Sequence, residues 1–537
     1  MLRILRGAAL SVSAASLALL PLIALNLTHV GSFHLERFRE PTWIFYGALA
    51  WFVILSQDSA RDGAGRLRAL LDHPRFFPWM SGTMLALYLL AAWAQHLSFH
   101  TFSHDFSMID EALVPRPHRA LLYSPLLGRS FLSEHFAPIL ALLVPIHAVI
   151  RSPYLLVVLQ PVALWAAALV LRTILLRSGV SVVTTNLACL VYLNHPVQIA
   201  TLLYLFHMEC LLPVLALLAF RYYKEGAFRK YAAMILLALA VKEDVGLYLA
   251  AFGVYAALVD RRRAVGLLTV AAALGWTAIA IQVAMPSSSD HAGGGYPFLS
   301  RWSAWGHSAG SVLGGFLTHP VLLVRSLLGW SYLKFFAGVL FIPFLPKAGV
   351  ILFFLPWLLP ATSGFWPQKT LGLYYGIPLL TFATIAGVLG LGTETFRRLA
   401  SSRLAPALAC AAVALNVSHL SFHEIPRERS RVLREIEAAI PDTATVQAMS
   451  CFYPVLGYRR EKILIDRETT QITADYAVLR TERTTWPISA IEARALVYTT
   501  LTSGAYENRS TERGFYIFRR IRPGPPRGSS GNASRGS

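Results

Sequence analysis

The sequence predicts a polytopic α-helical membrane protein with a small soluble α/β domain near its C-terminal end. Of the 537 residues, 55% are hydrophobic and only 14% are charged, and the mean hydropathy is +0.52. A soluble protein of this length would carry about a quarter charged residues. Apolar runs of roughly 15 to 24 residues, close to the length that crosses a bilayer, recur before residue 422.

These runs predict about 13 transmembrane segments, several of them short enough to favour tilted or broken helices. The first is expected to stay uncleaved, because a second apolar run follows it. The first two form a hairpin within 1–76, and the rest form a transmembrane core over 77–421. The predicted segments lie near 8–30, 43–56, 77–97, 153–176, 181–195, 197–220, 230–241, 244–260, 264–285, 332–346, 348–361, 374–392 and 404–421.

Loop charge predicts the orientation. The formal net charge is +19, and most Lys and Arg residues lie in short loops between apolar runs, which is the positive-inside pattern. This pattern accounts for the charge without a nucleic-acid partner. It places the polar loop 98–135 and the C-terminal domain outside the cell (inner or plasma) membrane, and it predicts membrane lipids as partners.

Loop 98–135 contains the candidate catalytic residues Asp105 and Asp110. A carboxylate pair beside a membrane is costly unless it meets water, a metal or a donor. Either aspartate could be a general base, with the other as partner for an acceptor hydroxyl. The spacing is also compatible with a divalent metal held by both, although no cofactor is required. The alternative is two solvated loop acids.

Further ionisable residues of the polar loop and of the apolar runs are candidate substrate-binding residues, because ionisable groups in or beside a membrane are usually functional. The alternative for each is a structural polar contact. They are Arg116, Arg119, Glu134, His135, His207, Glu209, Lys242, Glu243 and Asp244.

The three charges of Lys242–Asp244 interrupt an apolar stretch that has basic residues at both ends. Since both ends are predicted to be cytoplasmic, the chain must form a hairpin with these charges at the external surface. Lys242 could then bind a phosphate as a point charge. Loop 287–305 is expected on the same side as a flexible substrate-facing lid, or as a plain connector.

The character of the chain changes after residue 422. A helix is predicted over 424–440, followed by strands at TVQAM, KILI, YAVLR, ALVYTTL and FYIFRR. We therefore predict a soluble extracytoplasmic α/β domain over 422–522, followed by a disordered tail over 523–537. The four cysteines have neither metal-ligand nor redox spacing.

Four ordered motifs resemble a bacterial multi-spanning membrane protein family of unknown function, domain of unknown function 2079. They are the Asp105–Asp110 loop, EHFAPI at 134–139, FHME at 206–209 and KED at 242–244. The Asp105–Asp110 loop lacks the glycine that the family has there, so its backbone is expected to differ.

That family in turn looks like the GT-C class of integral-membrane glycosyltransferases. The resemblance implies a GT-C-like core and an inverting transfer from a polyprenyl-phosphate sugar to an extracytoplasmic acceptor. Asp105 or Asp110 would be the base, and Lys242 with nearby arginines would hold the donor phosphate. Two alternatives are a lipid or solute transporter or flippase, and a non-catalytic envelope assembly protein whose working part is the C-terminal domain.

Overall fold

The computed structural model describes residues 29–30, 33–34, 68–287, 296, 298–402, 408, 416, 429–458, 461–482, 487–510 and 512–521. The predicted segment 43–56, most of 8–30 and 404–421, and the tail 523–537 lie outside the described residues. The chain divides into two compact units. The helical unit comprises 1–95 and 112–424, and the second unit comprises 96–111 and 425–537.

Most of the described chain is helical. The α-helices are α1 (Phe76–Leu97), α2 (Met108–Ala112), α3 (Val144–Ile150), α4 (Tyr154–Arg177), α5 (Val182–Asn194), α6 (Pro196–Tyr204), α7 (Leu212–Lys224), α8 (Phe228–Leu239), α9 (Val245–Leu258), α10 (Arg263–Ile279), α11 (Met285–Ser287), α12 (Ala309–Thr318), α13 (Pro320–Leu327), α14 (Trp330–Gly338), α15 (Val350–Thr362), α16 (Trp366–Lys369), α17 (Ile377–Leu391), α18 (Glu394–Ser401), α19 (Arg429–Ala439) and α20 (Ala490–Thr502).

Shorter turns connect these helices. The 3-10 turns are Phe131–Ser133, Pro138–Leu143, Met208–Leu211, Leu299–Trp302, Ile342–Phe344 and Tyr453–Leu456, and the π turns are Ser103–Ser107 and Ala280–Ala284. Two small antiparallel hairpins pair β1 (His29–Val30) with β2 (Phe33–His34), and β3 (Tyr123–Ser124) with β4 (Arg129–Ser130).

The helical unit contains helices of the length and hydrophobicity that cross a membrane. Within the described residues, three helical segments are long and apolar enough to cross a bilayer: α1, α4 and the continuous Arg263–Ser287. Counting each bent pair as one span raises the number to six, because α5–α6, α12–α13 and α17–α18 also qualify. The sequence-based total of about 13 spans therefore stays a prediction.

The predicted span 197–220 is broken in the structure. Helix α6 ends at Tyr204, Leu205 has a φ of +94°, and the chain resumes as a 3-10 turn before α7 begins at Leu212. His207 therefore lies in extended backbone between two helices. The bent pair α12–α13 was not predicted at all, because glycines and the His319–Pro320 junction weaken its helical pattern.

Helices α9 and α10 approach each other closely through glycines. A Cβ atom on Gly266 would lie 2.5 Å from the carbonyl oxygen of Gly253 and 2.5 Å from the backbone nitrogen of Ala257. Small residues allow such close backbone approach between membrane helices. This contact holds the first turn of α10 against the second half of α9.

The second unit contains a five-stranded sheet in the order β6-β5-β7-β9-β8. Its strands are β5 (Thr445–Ala448), β6 (Glu461–Leu464), β7 (Tyr476–Arg480), β8 (Tyr506–Asn508) and β9 (Phe515–Arg520). Strand β5 pairs in parallel with β6 and β7, and β9 pairs antiparallel with β7 and β8. The small C-terminal α/β fold predicted from the sequence is confirmed.

One predicted strand is wrong, because ALVYTTL lies in helix α20. Ser489 and Glu492 form a capping box at the start of this helix, with each side chain accepting a backbone N–H of the other. The Ser-x-x-Glu pattern before an apolar run is a helix-start signal that outweighs the β-branched residues downstream.

The second unit also includes part of the polar loop. Phe99 is buried in the same apolar core as Phe452 and Phe515. Nη1 of Arg429 donates to the carbonyl oxygens of His96 (2.9 Å) and Leu97. The predicted division kept all of 98–135 with the transmembrane core, whereas the structure places 96–111 with 425–537.

The close contact between α9 and α10 gives a matched test in one helix. Gly266→Ala should lower the melting temperature of the detergent-solubilised protein, because overpacking costs about 1–3 kcal/mol. Gly275→Ala should leave it unchanged or raise it, since no heavy atom lies within 4 Å of the added Cβ and alanine favours the helix. Equal shifts in the two variants would contradict the close contact.

Candidate functional site

Lys242, Glu243 and Asp244 join helices α8 and α9, so the predicted hairpin is present. The turn is buried within the protein, and its position at the external membrane surface stays a prediction. Lys242 and Glu243 are 5% and 0% exposed, and Asp244 is half-buried. Buried charges are stable only when they are paired and hydrogen-bonded, so the partners of these groups define the site.

Glu243 is the most connected of these groups. Its Oε1 atom lies 3.2 Å from Nδ1 of His135 and accepts a hydrogen bond from the Tyr296 hydroxyl at 3.1 Å. Its Oε2 atom accepts the backbone N–H of Phe136 at 3.1 Å. The Thr277 hydroxyl donates to its backbone carbonyl at 2.9 Å. One carboxylate thus connects three separate segments of the helical unit.

These contacts determine the charge states in the turn. Burial alone would raise the pKa of Glu243, but His135 and Lys242 outweigh it and hold this pKa below its ordinary value. Burial alone would lower the pKa of Lys242, but the carboxylates of Glu209, Asp244 and Glu243 hold it above its ordinary value. Burial and Glu243 raise the pKa of Tyr296, so its hydroxyl remains a donor.

Glu209 makes a second arrangement of the same kind. Its Oε1 atom accepts a hydrogen bond from Nζ of Lys242 at 2.7 Å, and its Oε2 atom contacts Nδ1 of His207. Gln160 supports this pair by accepting the backbone N–H of His207 at 2.9 Å. Lys242 is therefore neutralised by a buried carboxylate, which leaves it less suited to bind a phosphate than the sequence suggested.

The two imidazoles lie side by side between aromatic rings. The ring centroids of His135 and His207 are 5.9 Å apart. His135 stacks on Phe298 at 4.9 Å and 13°, and His207 stacks on Tyr374 at 3.5 Å and 9°. We call His135, His207, Glu209, Lys242 and Glu243 the paired-imidazole cluster.

The two imidazoles of the cluster have the hydrogen-bond arrangement of groups that transfer protons. When a carboxylate accepts from Nδ1, the neutral imidazole carries its lone pair on Nε2. Nε2 of His207 is buried and has no hydrogen-bond partner in the described part of the chain. Among the described residues, the hydrogen bond of the His135 ring is made through Nδ1, and its side chain retains 8% exposure. Of the two imidazoles, His135 is the more exposed, because the side chain of His207 is 0% exposed.

The predicted arginines and Glu134 make local contacts instead. Glu134 forms an ion pair with Arg129 at 2.9 Å, with about a third of each side chain exposed. Arg116 donates to the carbonyl oxygens of Val114 and Tyr123, both at 3.3 Å. Arg119 is exposed and lies 4.9 Å above the Tyr123 ring. These contacts stabilise the segment around β3 and β4.

The predicted catalytic aspartates belong to the second unit. Asp105 is half-buried in the π turn, with φ +55° and ψ −69°. This left-handed φ is costly for a residue other than glycine, by about 1–3 kcal/mol, and such strain clusters at functional sites. Asp110 is buried and accepts a hydrogen bond from the Tyr458 hydroxyl at 3.0 Å. Whether either is a base stays a prediction.

The next residue, Glu111, is 2% exposed and forms an ion pair with Lys462 in the same unit. Among the residues that the structure describes, no group of three or more His, Cys, Asp or Glu side chains is arranged to hold a metal ion. A divalent metal held by Asp105 and Asp110 therefore stays a prediction.

Several contributors to the cluster escaped the sequence analysis. Tyr296 and Phe298 fall in the predicted lid segment 287–305, and Tyr374 is the first residue of the predicted span 374–392. Gln160 lies inside α4, and its polar side chain in an apolar span was the one available signal.

The family model described as predicted membrane protein (DUF2079) matches residues 95–517. This range includes both carboxylate–imidazole pairs, the strained Asp105 turn, strands β5 to β8 and the first residues of β9. No curated protein matches the chain.

Two glutamates of the polar loop give a matched test of burial. Glu111→Ala should destabilise the second unit by about 3–5 kcal/mol, because the buried cation of Lys462 (5% exposed) would lose this carboxylate partner. Glu134→Ala should cost about 0–1 kcal/mol, because its pair with Arg129 is solvated. The stability loss in each variant is measured on the purified protein by heating it and using limited proteolysis to detect unfolding of the second unit. Equal losses would contradict the burial of the Glu111–Lys462 pair.

Proposed function

The chain belongs to the DUF2079 family of predicted membrane proteins, and from that premise we propose that it is an integral-membrane glycosyltransferase. The reaction moves a sugar from a polyprenyl-phosphate donor to an extracytoplasmic acceptor. The observation that carries the proposal is His135, whose Nδ1 is held by the buried carboxylate of Glu243 at 3.2 Å. This arrangement leaves Nε2 to act as a general base.

The chemical step follows from that role. Nε2 of His135 accepts the proton of the acceptor hydroxyl as the hydroxyl oxygen forms a bond to C1 of the sugar. The bond from C1 to the phosphate oxygen breaks, and the polyprenyl phosphate leaves with the electron pair. The sugar carbon is inverted, and no covalent enzyme intermediate forms. Glu243 stabilises the imidazolium, as a carboxylate does in other histidine-based sites.

The surroundings of the cluster support a lipid-borne donor. The cluster lies in a unit built from apolar helices, where a substrate with a long apolar tail can approach from the bilayer. We further propose a GT-C-like core with about 13 spans. Loop charge supports an extracytoplasmic active face and an extracytoplasmic C-terminal domain.

The base is tested by substitution of His135. His135→Ala should reduce sugar transfer by roughly 100-fold to 10,000-fold, the usual contribution of a general base. Glu243→Gln should cause a large loss as well, because the amide can no longer stabilise the imidazolium. His118→Ala is the matched control, since His118 is an exposed histidine of the same loop. The measurements are lipid-linked and surface glycans in cells, and transfer from a radiolabelled polyprenyl-phosphate sugar by the purified protein.

The same assay compares the histidine with the aspartates. Loss of transfer in Asp105→Ala or Asp110→Ala, with His135→Ala active, would move the base to the aspartate. Wild-type glycans in all of these variants would contradict the glycosyltransferase proposal.

A second candidate function is proton-coupled transport of a lipid or solute. Buried chains of ionisable groups mark proton pathways in membrane proteins, and Lys242, Glu209 and His207 form such a chain. Uptake of a radiolabelled substrate by proteoliposomes that is lost in Lys242→Ala, with no sugar transfer by the wild type, would favour transport.

A further inference from the structure

Arg301 lies in the 3-10 turn Leu299–Trp302, and its guanidinium is surrounded by aromatic rings. The guanidinium carbon is 4.5 Å from the ring centroid of Phe298, 4.7 Å from that of Phe365 and 5.4 Å from that of Tyr375. The backbone is held as well, because the carbonyl oxygen of Arg301 accepts the N–H of Gly364 at 2.6 Å. The side chain is thus oriented before any ligand binds.

The charge of Arg301 is not neutralised by a carboxylate within the described ranges. The single side-chain hydrogen bond that Arg301 makes there runs from Nη1 to Oε1 of Gln368, at a long 3.4 Å. That oxygen also accepts the Ser363 hydroxyl at 3.0 Å. By contrast, Lys242 and Arg129 each have a carboxylate within 3 Å.

The geometry of a guanidinium makes this arrangement suited to an anion. Its five N–H donors all lie in the plane of the group, in a fork that matches a phosphate or carboxylate. Three aromatic rings lie within 5.4 Å of the guanidinium carbon, and within the described residues the donors of its edge have one long hydrogen bond, to Gln368. A half-buried cation beside apolar helices is costly unless an anion compensates it.

Arg301 adjoins the paired-imidazole cluster through shared rings. Phe298 contacts both groups, because it stacks on His135 at 4.9 Å and lies 4.5 Å from the Arg301 guanidinium. On the other side, the hydroxyls of Tyr375 and Tyr374 are hydrogen-bonded at 3.0 Å, and Tyr374 stacks on His207. A ligand at Arg301 would therefore lie next to the proposed base.

We infer that Arg301, with Phe298, Phe365 and Tyr375, is a binding site for a phosphate group. The inference rests on the proposed function in one respect, since the phosphate it would take is that of the polyprenyl-phosphate donor. Arg301 then replaces Lys242 as the phosphate ligand, and Lys242 instead holds the Glu209–His207 pair. When the sugar leaves, the guanidinium stabilises the negative charge on the departing phosphate.

The test measures binding of two phosphate probes to the full-length protein in nanodiscs. The probes are a polyprenyl monophosphate, as the lipid source, and inorganic pyrophosphate, as the soluble source. Arg301→Ala should weaken binding by roughly 10-fold to 100-fold, the range of a charge-assisted hydrogen bond. Arg301→Lys should recover only part of it, because an ammonium lacks the planar fork. The matched control is Arg325→Ala, which removes an exposed arginine of α13.

The outcomes distinguish a site for a lipid phosphate, a site that also takes soluble phosphates, and no phosphate site at Arg301. Weaker binding of the lipid probe alone supports a lipid phosphate, and weaker binding of both probes supports a site that also takes soluble phosphates. Unchanged affinity for both probes in Arg301→Ala would overturn the inference. If that variant does not fold, Phe365→Leu serves instead, since it keeps the charge and removes one half-exposed ring; it should weaken binding several-fold, and wild-type affinity there would overturn the inference.

His135→Ala separates this inference from the proposed function, because it should retain probe binding while it loses transfer. Probe binding that depends on Arg301, together with normal glycans in His135→Ala, would keep the phosphate site and reject the glycosyltransferase.

Discussion

The arrangement of the helical unit depends on the buried carboxylate of Glu243. Removing such a charge from water costs several kcal/mol, and the cost is offset only if its oxygens are fully hydrogen-bonded. His135, the Phe136 N–H and the Tyr296 hydroxyl supply these bonds. The segments at 135–136, 243 and 296 are therefore held together by their hydrogen bonds to this carboxylate. The same bonds orient the imidazole of His135.

The helix packing also brings hydrogen-bond partners to the buried glutamates and their neighbours. A Cβ atom on Gly246 would lie 2.3 Å from the Thr277 hydroxyl oxygen, so glycine at this position lets Thr277 reach the carbonyl oxygen of Glu243. The break between α6 and α7 has a comparable effect for Glu209. A continuous helix through 205–211 would have bonded the backbone N–H of His207 within the helix. The extended backbone lets it donate to Gln160 instead.

The polar loop contributes to both compact units, and its sequence does not indicate where it divides between them. Residues 112–135 end at His135 and belong to the helical unit, whereas 96–111 supply Phe99 and the Glu111 ion pair to the second unit. The strain at Asp105 and the hydrogen bond to Asp110 therefore have to be understood within the α/β unit. In that unit Asp110 accepts a hydrogen bond from Tyr458, and Asp105 is half-buried with a strained backbone.

The sequence by itself determined the membrane class, the bounds of α1 and α4 to within one residue, the α/β character of the C-terminal domain and the family. Hydropathy and periodicity are local properties, so a window of neighbouring residues is enough to read them. The sequence also identified candidate site residues, because ionisable residues are unusual in or beside apolar runs. They are His135, His207, Glu209 and Lys242–Asp244. Only the tertiary structure decided their partners. His135 and Glu243 are 108 positions apart, and no local pattern indicates that Lys242 is neutralised by Glu209 while Arg301 has aromatic rings around it. Those contacts depend on which helices pack together.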